Sequence, residues 1–261
     1  MPTNIDYLIC IPVYRPTERV FKCMESIRDK NVLLIDNSGN QECKVFEEKY
    51  GFKVSYQKEN IGIPRSWNLG LKEGHDWTFI VSSSMLFNQP FSHIIDMLTD
   101  FKGVMFRTSH AWHCIGINKK LVNQIGYFDE NFYPGYFEDC DWDHRCRMLE
   151  EQAINAPESD LIVSWRKQFV YPNAPISYVM RISAESAKID AICQQDGGAT
   201  KDGLRVNIDG VHDYFKQKWG GTRTRDGWGE YKYPFNDSTK PLSYWEETSI
   251  PALKKRYKLD K

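Results

Sequence analysis

Nowhere in this 261-residue sequence does an apolar run approach the roughly 18 residues that a membrane-spanning helix requires. The first residues, running from Met1 into the stretch Ile5 to Val13, also lack a basic region, a long apolar centre and a small-residue cleavage site. These absences predict a soluble, unprocessed protein with no integral membrane contact. An excess of one charge sign is missing too. With 34 basic and 35 acidic residues, no global field draws the chain to nucleic acid or an anionic surface, so any polyanion must be met by a local patch. The seven cysteines (Cys10, Cys23, Cys43, Cys114, Cys140, Cys146, Cys193) are odd in number and never form a two-residue-spaced pair. That argues against a disulfide framework or zinc site and predicts a reducing compartment: the cytoplasm, or a host's cytoplasm for a viral protein. Internal repeats and low-complexity segments are absent as well.

What is present reads as a folded α/β chain. Apolar residues make up 41% and aromatics 14%, enough for a substantial core with aromatic-lined pockets. Tyr7 to Val13 and Val32 to Ile35 are short apolar runs of the kind that form buried parallel strands. Between them, Glu18 to Arg28 places Val20, Cys23, Met24 and Ile27 on one helical face. The alternation continues with a helix over Glu42 to Tyr50, a strand over Lys53 to Gln57, a helix over Arg65 to Glu73 and a strand over Trp77 to Ser82. Beyond these, helices are expected at Phe91 to Phe101, Lys119 to Ile125 and Phe137 to Gln152, and strands at Gly103 to Arg107 and Cys114 to Asn118. Residues 153–210 give no assignment, because their apolar pieces are short and broken by glycine. The alternating order implies a parallel sheet with helices on both faces, and ligands beyond the carboxyl ends of its strands. Asp36, Asn60 and Ser82 to Ser84 fall at such ends.

Several pieces then recur in a telling order. They are Ile11, Pro12, Val13, Tyr14; Leu34, Ile35, Asp36, Asn37, Ser38; and Asn60, Ile61, Gly62 followed by Trp67, Asn68, Leu69, Gly70. Last come Gly126, Tyr127, Phe128, Asp129, Glu130, followed by Tyr136 through Asp141 and Arg145. In this order and spacing the pieces resemble glycosyltransferase family 2, inverting enzymes of the GT-A fold. The resemblance implies a GT-A-type, Rossmann-like sheet, mostly parallel and flanked by helices, in residues 1–152. An aromatic-rich extension, residues 153–261, would pack on the acceptor side. It implies transfer of a hexosyl or pentosyl group from a nucleotide-sugar donor to an acceptor hydroxyl. Asp139 would be the general base, Glu138 would position acceptor or loop, and Asp141 with Arg145 would brace the site. Donor-side candidates are Pro12, Tyr14, Arg15, Asp36, Asn60, Gly62, Arg65, Ser82 and Ser84. Acceptor-side candidates are Trp112, Tyr136, Asp141 and Trp219.

The residue chemistry fits those roles, with plainer alternatives beside them. Asp36 at a strand end accepts hydrogen bonds from a ribose or base, or else caps its own turn. Asn60 and Gly62 let backbone amides near a helix start approach a diphosphate. Carboxylates at a helix start are favoured in ionised form by the exposed amides, which suits a general base, and also suits an ordinary solvated helix end.

One departure stands out. The family places a metal-binding Asp-x-Asp at the end of its fourth strand, where this sequence has Ser82, Ser83, Ser84, and hydroxyls are poor ligands for Mg²⁺ or Mn²⁺. Either Arg15 or Arg65 would then neutralise the leaving diphosphate, or Mg²⁺ or Mn²⁺ would be held through the diphosphate itself, or the chain would be inactive. His212 is a candidate to approach the diphosphate or a metal. His110 and His113 supply no third ligand, which argues against zinc. A glycan is the family's usual acceptor. Tyr214, Phe215 and Trp219, with Arg223, Arg225 and the Lys254, Lys255, Arg256, Lys258 cluster, leave open a nucleic-acid acceptor such as a hydroxymethylated base of viral DNA. Two rivals come from other classes. A non-catalytic sugar-nucleotide-binding protein is favoured by the missing Asp-x-Asp, whereas a nucleotidyltransferase needs a glycine-rich basic loop that Ile11 to Arg15 does not offer. The sequence sets no oligomeric state.

Overall fold

A computed structural model describes residues 5–99, 104–108, 111–155, 179–182, 189–191, 208–219, 223–224 and 227–228. The expected α/β architecture forms. Strands β1 (Tyr7–Val13), β2 (Val32–Asp36), β3 (Lys53–Tyr56) and β4 (Trp77–Val81) alternate with helices α1 (Glu18–Ile27), α2 (Lys44–Tyr50) and α3 (Ile63–Lys72). A short strand β5 (Met85–Phe87) and helix α4 (Ser92–Asp96) follow, then β6 (Met105–Thr108), β7 (Ala111–Asn118), α5 (Lys119–Ile125) and α6 (Glu138–Asn155). Further on come β8 (Val179–Ile182), β9 (Ile189–Ala191), helix α7 (Ile208–Trp219) and the strand pair β10 (Arg223–Thr224) and β11 (Gly227–Trp228).

The main sheet has seven strands in the order β3-β2-β1-β4-β7-β6-β8. The pairs among β3, β2, β1 and β4 are parallel, and β7 runs antiparallel to both β4 and β6, so the sheet is mixed. Strands β2 and β4 are buried along their whole length, as strands covered on both faces must be. At the edge, β3 carries an exposed Lys53 that discourages further pairing. Alternate residues of β1 feed two cores. Ile9, Ile11 and Val13 meet the buried face of α1, Val20, Cys23, Met24 and Ile27. Leu8 and Cys10 face the side of α3, where Gly70 sits so near β1 that a Cβ there would lie 2.6 Å from the Cys10 sulfur. Only glycine allows that approach.

Several differences from the sequence reading concern boundaries. β7 begins at Ala111 rather than Cys114, which places Trp112 and His113 inside a strand. α4 ends at Asp96, short of Phe101. β5 was not anticipated, because three residues carry no periodicity, and it pairs antiparallel with β9. From residue 153 onward, β8 lengthens the main sheet beside β6, and α7 contributes Val211, Tyr214, Phe215 and Trp219 to a third cluster that also holds Trp67, Ile80, Ile115 and Trp142. His110, Arg225 and the 254–258 basic cluster lie outside the described residues.

α7 is fastened by buried charge. Lys218, 1% exposed, donates to Asp129 at 2.7 Å and also pairs with Asp141. Asp129 accepts from the Tyr214 hydroxyl at 2.6 Å as well. The Trp219 indole donates to Asp141 at 3.0 Å, while Arg145 pairs with the other Asp141 oxygen at 2.9 Å and reaches the Ile125 carbonyl. Burial works against ionised Asp129, but the Lys218 charge and the hydrogen bonds outweigh it and hold the carboxyl below its ordinary value. Removing one partner leaves a buried charge uncompensated, so Lys218→Ala is expected to cost about 3–5 kcal/mol of unfolding free energy. A urea-denaturation midpoint within error of wild type would contradict this.

Candidate active site

The carboxyl ends of β1 to β4 lie along one edge of the sheet, and the loops that follow them gather there. After β1, Pro12 and Tyr14 are half-buried and Arg15 is exposed, its guanidinium 5.2 Å from the Tyr14 ring. After β2, Asp36 is buried, one carboxylate oxygen accepting the Ser38 amide at 2.8 Å and the other the Cys43 amide at 2.9 Å. The loop-bracing alternative is therefore what its contacts display. Its neighbour Asn37, not singled out in sequence, is the tie between loops. It donates to Ser66 at 2.9 Å and accepts from the Ile61 amide at 3.2 Å, while Ser66 bonds the Gly62 carbonyl at 2.6 Å.

The turn Asn60–Ile63 before α3 departs from the expected phosphate cradle. Its Ile61 amide goes to Asn37, its Gly62 amide to the Asn60 side chain at 2.9 Å, and its Ile63 amide to the Pro134 carbonyl at 2.8 Å. All three are engaged, so none is left open to a diphosphate here. Gly62 has φ 79°, and a Cβ on it would lie 2.8 Å from the Tyr133 ring. Glycine is thus required on two counts. Arg65 is exposed and lies 3.7 Å from Glu130.

At the end of β4, Ser82 and Ser84 share a hydrogen bond of 2.8 Å between their hydroxyls. In the family that the sequence resembles, a metal-binding acid pair stands at this place. Among the described residues no group of three His, Cys, Asp or Glu side chains is placed to hold a metal ion. The residues present do not fit a divalent ion held by protein carboxylates. His212 is half-buried and stacks on Phe137 with ring centroids 5.0 Å apart.

A second clamp brings the acidic segment to this edge. The Asn68 side chain, inside α3, donates to the Phe128 carbonyl and accepts the Phe128 amide, each at 2.9 Å, as a strand neighbour would. An asparagine is poorly suited to a helix interior, and its place in the Trp67 to Gly70 piece was the signal that it serves another segment. The chain then returns past the Asn60–Ile63 turn at Tyr133 and Pro134 and enters α6 through Tyr136 and Phe137, at φ 76° and 65°. Two consecutive aromatic residues in the left-handed region store local strain, as functional sites often do.

The first turn of α6 separates its carboxylates sharply. Asp141 is fully buried in the ion network, and Trp219 is fully buried against it, so neither can face an acceptor; both are corrected to structural roles. Their charge and aromaticity read the same in a pocket wall as in a core. Tyr136 is 46% exposed, and Trp112 is half-buried, stacked 6.1 Å from Trp67. Asp139 is half-buried, with one oxygen taking the Cys140 amide at 2.7 Å. Glu138 is only 7% exposed, and one of its oxygens meets no hydrogen-bond partner. Burial, then the neighbouring Asp139 charge, pushes the Glu138 carboxyl up to about 8. The helix start was expected to favour its ionised form, but a dipole worth about 0.3–1 kcal/mol loses to burial of this degree. Burial thus favours the protonated form of Glu138.

No family model matches the chain, and no curated protein does. Among solved structures it is similar to S. aureus TarS in complex with UDP-GlcNAc, at 14% identity and TM-score 0.40 over 48% of each chain. It is similar to the mannosyltransferase PcManGT from Pyrobaculum calidifontis, in complex with GDP-Man and Mn²⁺, at 11% identity and TM-score 0.47, covering 99% of this chain and 76% of that one. It is also similar to glucosyl-3-phosphoglycerate synthase from Mycobacterium tuberculosis, in complex with UDP, at 8% identity and TM-score 0.46, covering 69% and 70%. The chain thus spans about half the length of the TarS chain it matches. The α/β architecture itself follows from the strand order and the helices between the strands.

The raised Glu138 carboxyl has a consequence for stability. Its folded value, about 8, exceeds the ordinary 4.5, so its contribution is complete below pH 4.5 and is lost as pH rises through 8. Thermal midpoints measured from acid to mildly alkaline pH should fall across that window. In Glu138→Gln, which stays neutral, this slope should flatten and stability at the alkaline end should exceed wild type. Parallel curves for the two proteins would exclude a buried, proton-holding Glu138.

Proposed function

We propose that this chain is a GT-A-type glycosyltransferase that moves a sugar from a nucleoside-diphosphate sugar to an acceptor hydroxyl with inversion. The observation that carries the reading is the asymmetric acid pair at the start of α6. Asp139 retains access to solvent while its neighbour Glu138 is buried with a raised proton affinity. Two adjacent carboxyls driven apart by environment are the usual arrangement for assigning one of them as base. The ordered sequence pieces and the run of the chain past the Asn60–Ile63 turn support placing the donor at the carboxyl ends of β1 to β4.

In this reading Asp139 removes the proton of the acceptor hydroxyl as its oxygen bonds the anomeric carbon. The bond from that carbon to the diphosphate oxygen breaks, and the electron pair leaves with the nucleoside diphosphate. Charge then grows on the leaving phosphate and needs cations or oriented donors nearby. Arg15 and Arg65 are the exposed candidates, and the Ser82 and Ser84 hydroxyls supply neutral donors.

Asp139→Asn is expected to fold normally and lose about 10²- to 10⁴-fold in transfer, the usual range for a general base. Turnover near wild type with an excess of donor and acceptor would sink the assignment. A second outcome follows from the serines: chelator should reduce transfer only modestly. Complete loss restored by Mn²⁺ would show that a metal is held after all.

A further inference from the structure

The segment joining the donor turn to the acidic pair is anchored at both ends and strained between them. At its start the Tyr133 ring lies against Gly62, its hydroxyl donates to the Asn60 carbonyl at 3.1 Å, and the next residue, Pro134, accepts the Ile63 amide. Tyr133 is nevertheless 50% exposed, so contact with the turn rather than burial holds it. At the far end Phe137 stacks on His212 at 5.0 Å and leans on Phe215 at 5.4 Å, both from α7. Between the anchors, Tyr136 and Phe137 occupy the left-handed region. Immediately after them Glu138 buries a carboxyl oxygen with no hydrogen-bond partner. Native interiors rarely leave such a group unsatisfied, and one that persists points to a strain reservoir or a working residue.

We propose that Tyr133 is a positioning residue that couples occupancy of the Asn60–Ile63 turn to the acidic pair. A nucleoside diphosphate seated against the turn displaces the Tyr133 ring, the strained backbone at Tyr136 and Phe137 relaxes, and Glu138 turns from the interior towards solvent. This rests on the reading that the turn borders the donor site. The titratable groups around Glu138 are Asp139 and Asp141 on its own helix and His212 of α7 across Phe137. Once out of burial, Glu138 returns towards the ordinary 4.5 and gives up its proton at neutral pH. A dianionic ligand acting only through its charge would do the opposite and draw a proton in.

Isothermal titration calorimetry with UDP and GDP, at neutral pH in buffers of different ionisation enthalpy, counts protons exchanged per nucleotide bound, whatever the affinity. The wild-type chain is expected to release close to about one proton per nucleotide. Glu138→Gln and Tyr133→Ala should each release less than about a third of that, and Tyr133→Phe, which keeps the ring against Gly62, should release most of it. Proton uptake by wild type, or undiminished release by Glu138→Gln or Tyr133→Ala, overturns the coupling. Binding without proton exchange defeats the coupling alone, whereas failure of UDP and GDP alike to bind defeats the functional reading and the coupling with it.

Discussion

One buried ammonium organises the half of the molecule that carries the acidic segment. Lys218 reaches Asp129, in the loop before α6, and Asp141, within α6, so a single side chain from α7 joins two stretches that are otherwise separate in the chain. Arg145 brings a second cation to Asp141, which leaves two acids and two bases in a dry interior. Such a cluster is costly to form and worse to leave incomplete, so its members fix one another's positions. The direction in which α6 presents Glu138 and Asp139 follows from that arrangement. Asp139 faces outward because Asp141, two residues on, is held inward.

The other half is organised by amides and asparagines rather than by ions. Asn37 and Asn68 each serve a segment far away in sequence, and the turn at Asn60 spends its amides on the protein itself. The loops at the sheet edge are therefore preorganised by neutral hydrogen bonds, which keep their geometry across ionic strengths where exposed ion pairs weaken. At this edge the turn's Ile61, Gly62 and Ile63 amides are already engaged.

β1, β2 and β4 were readable because apolar runs of five to seven residues between amphipathic helices admit few alternatives; β1 and α5 match their sequence assignments end to end. β5 was not readable, since three residues cannot display a period, and the start of β7 was hidden because the β6–β7 register shifts between Arg107 and Thr108, so that Trp112 and His113 continue no regular pattern. The site was legible in part. Glu138 and Asp139 stand together at a helix start as expected, but nothing in their spacing distinguishes Asp139, which sees solvent, from Asp141, which does not. That distinction comes from α7, some 70 residues later in the chain, and no local pattern contains it. Tyr133 was overlooked for the same reason, because its significance lies in the Gly62 backbone it covers.

The hydroxyl pair at the end of β4 bears on how the sheet edge responds to its surroundings. Carboxylates at that place would gain and lose charge across the acid range and would repel a diphosphate until a cation arrived. Serine hydroxyls do neither. The hydroxyl pair therefore adds no change of charge at the end of β4, whereas burial gives Glu138, at the start of α6, a raised proton affinity.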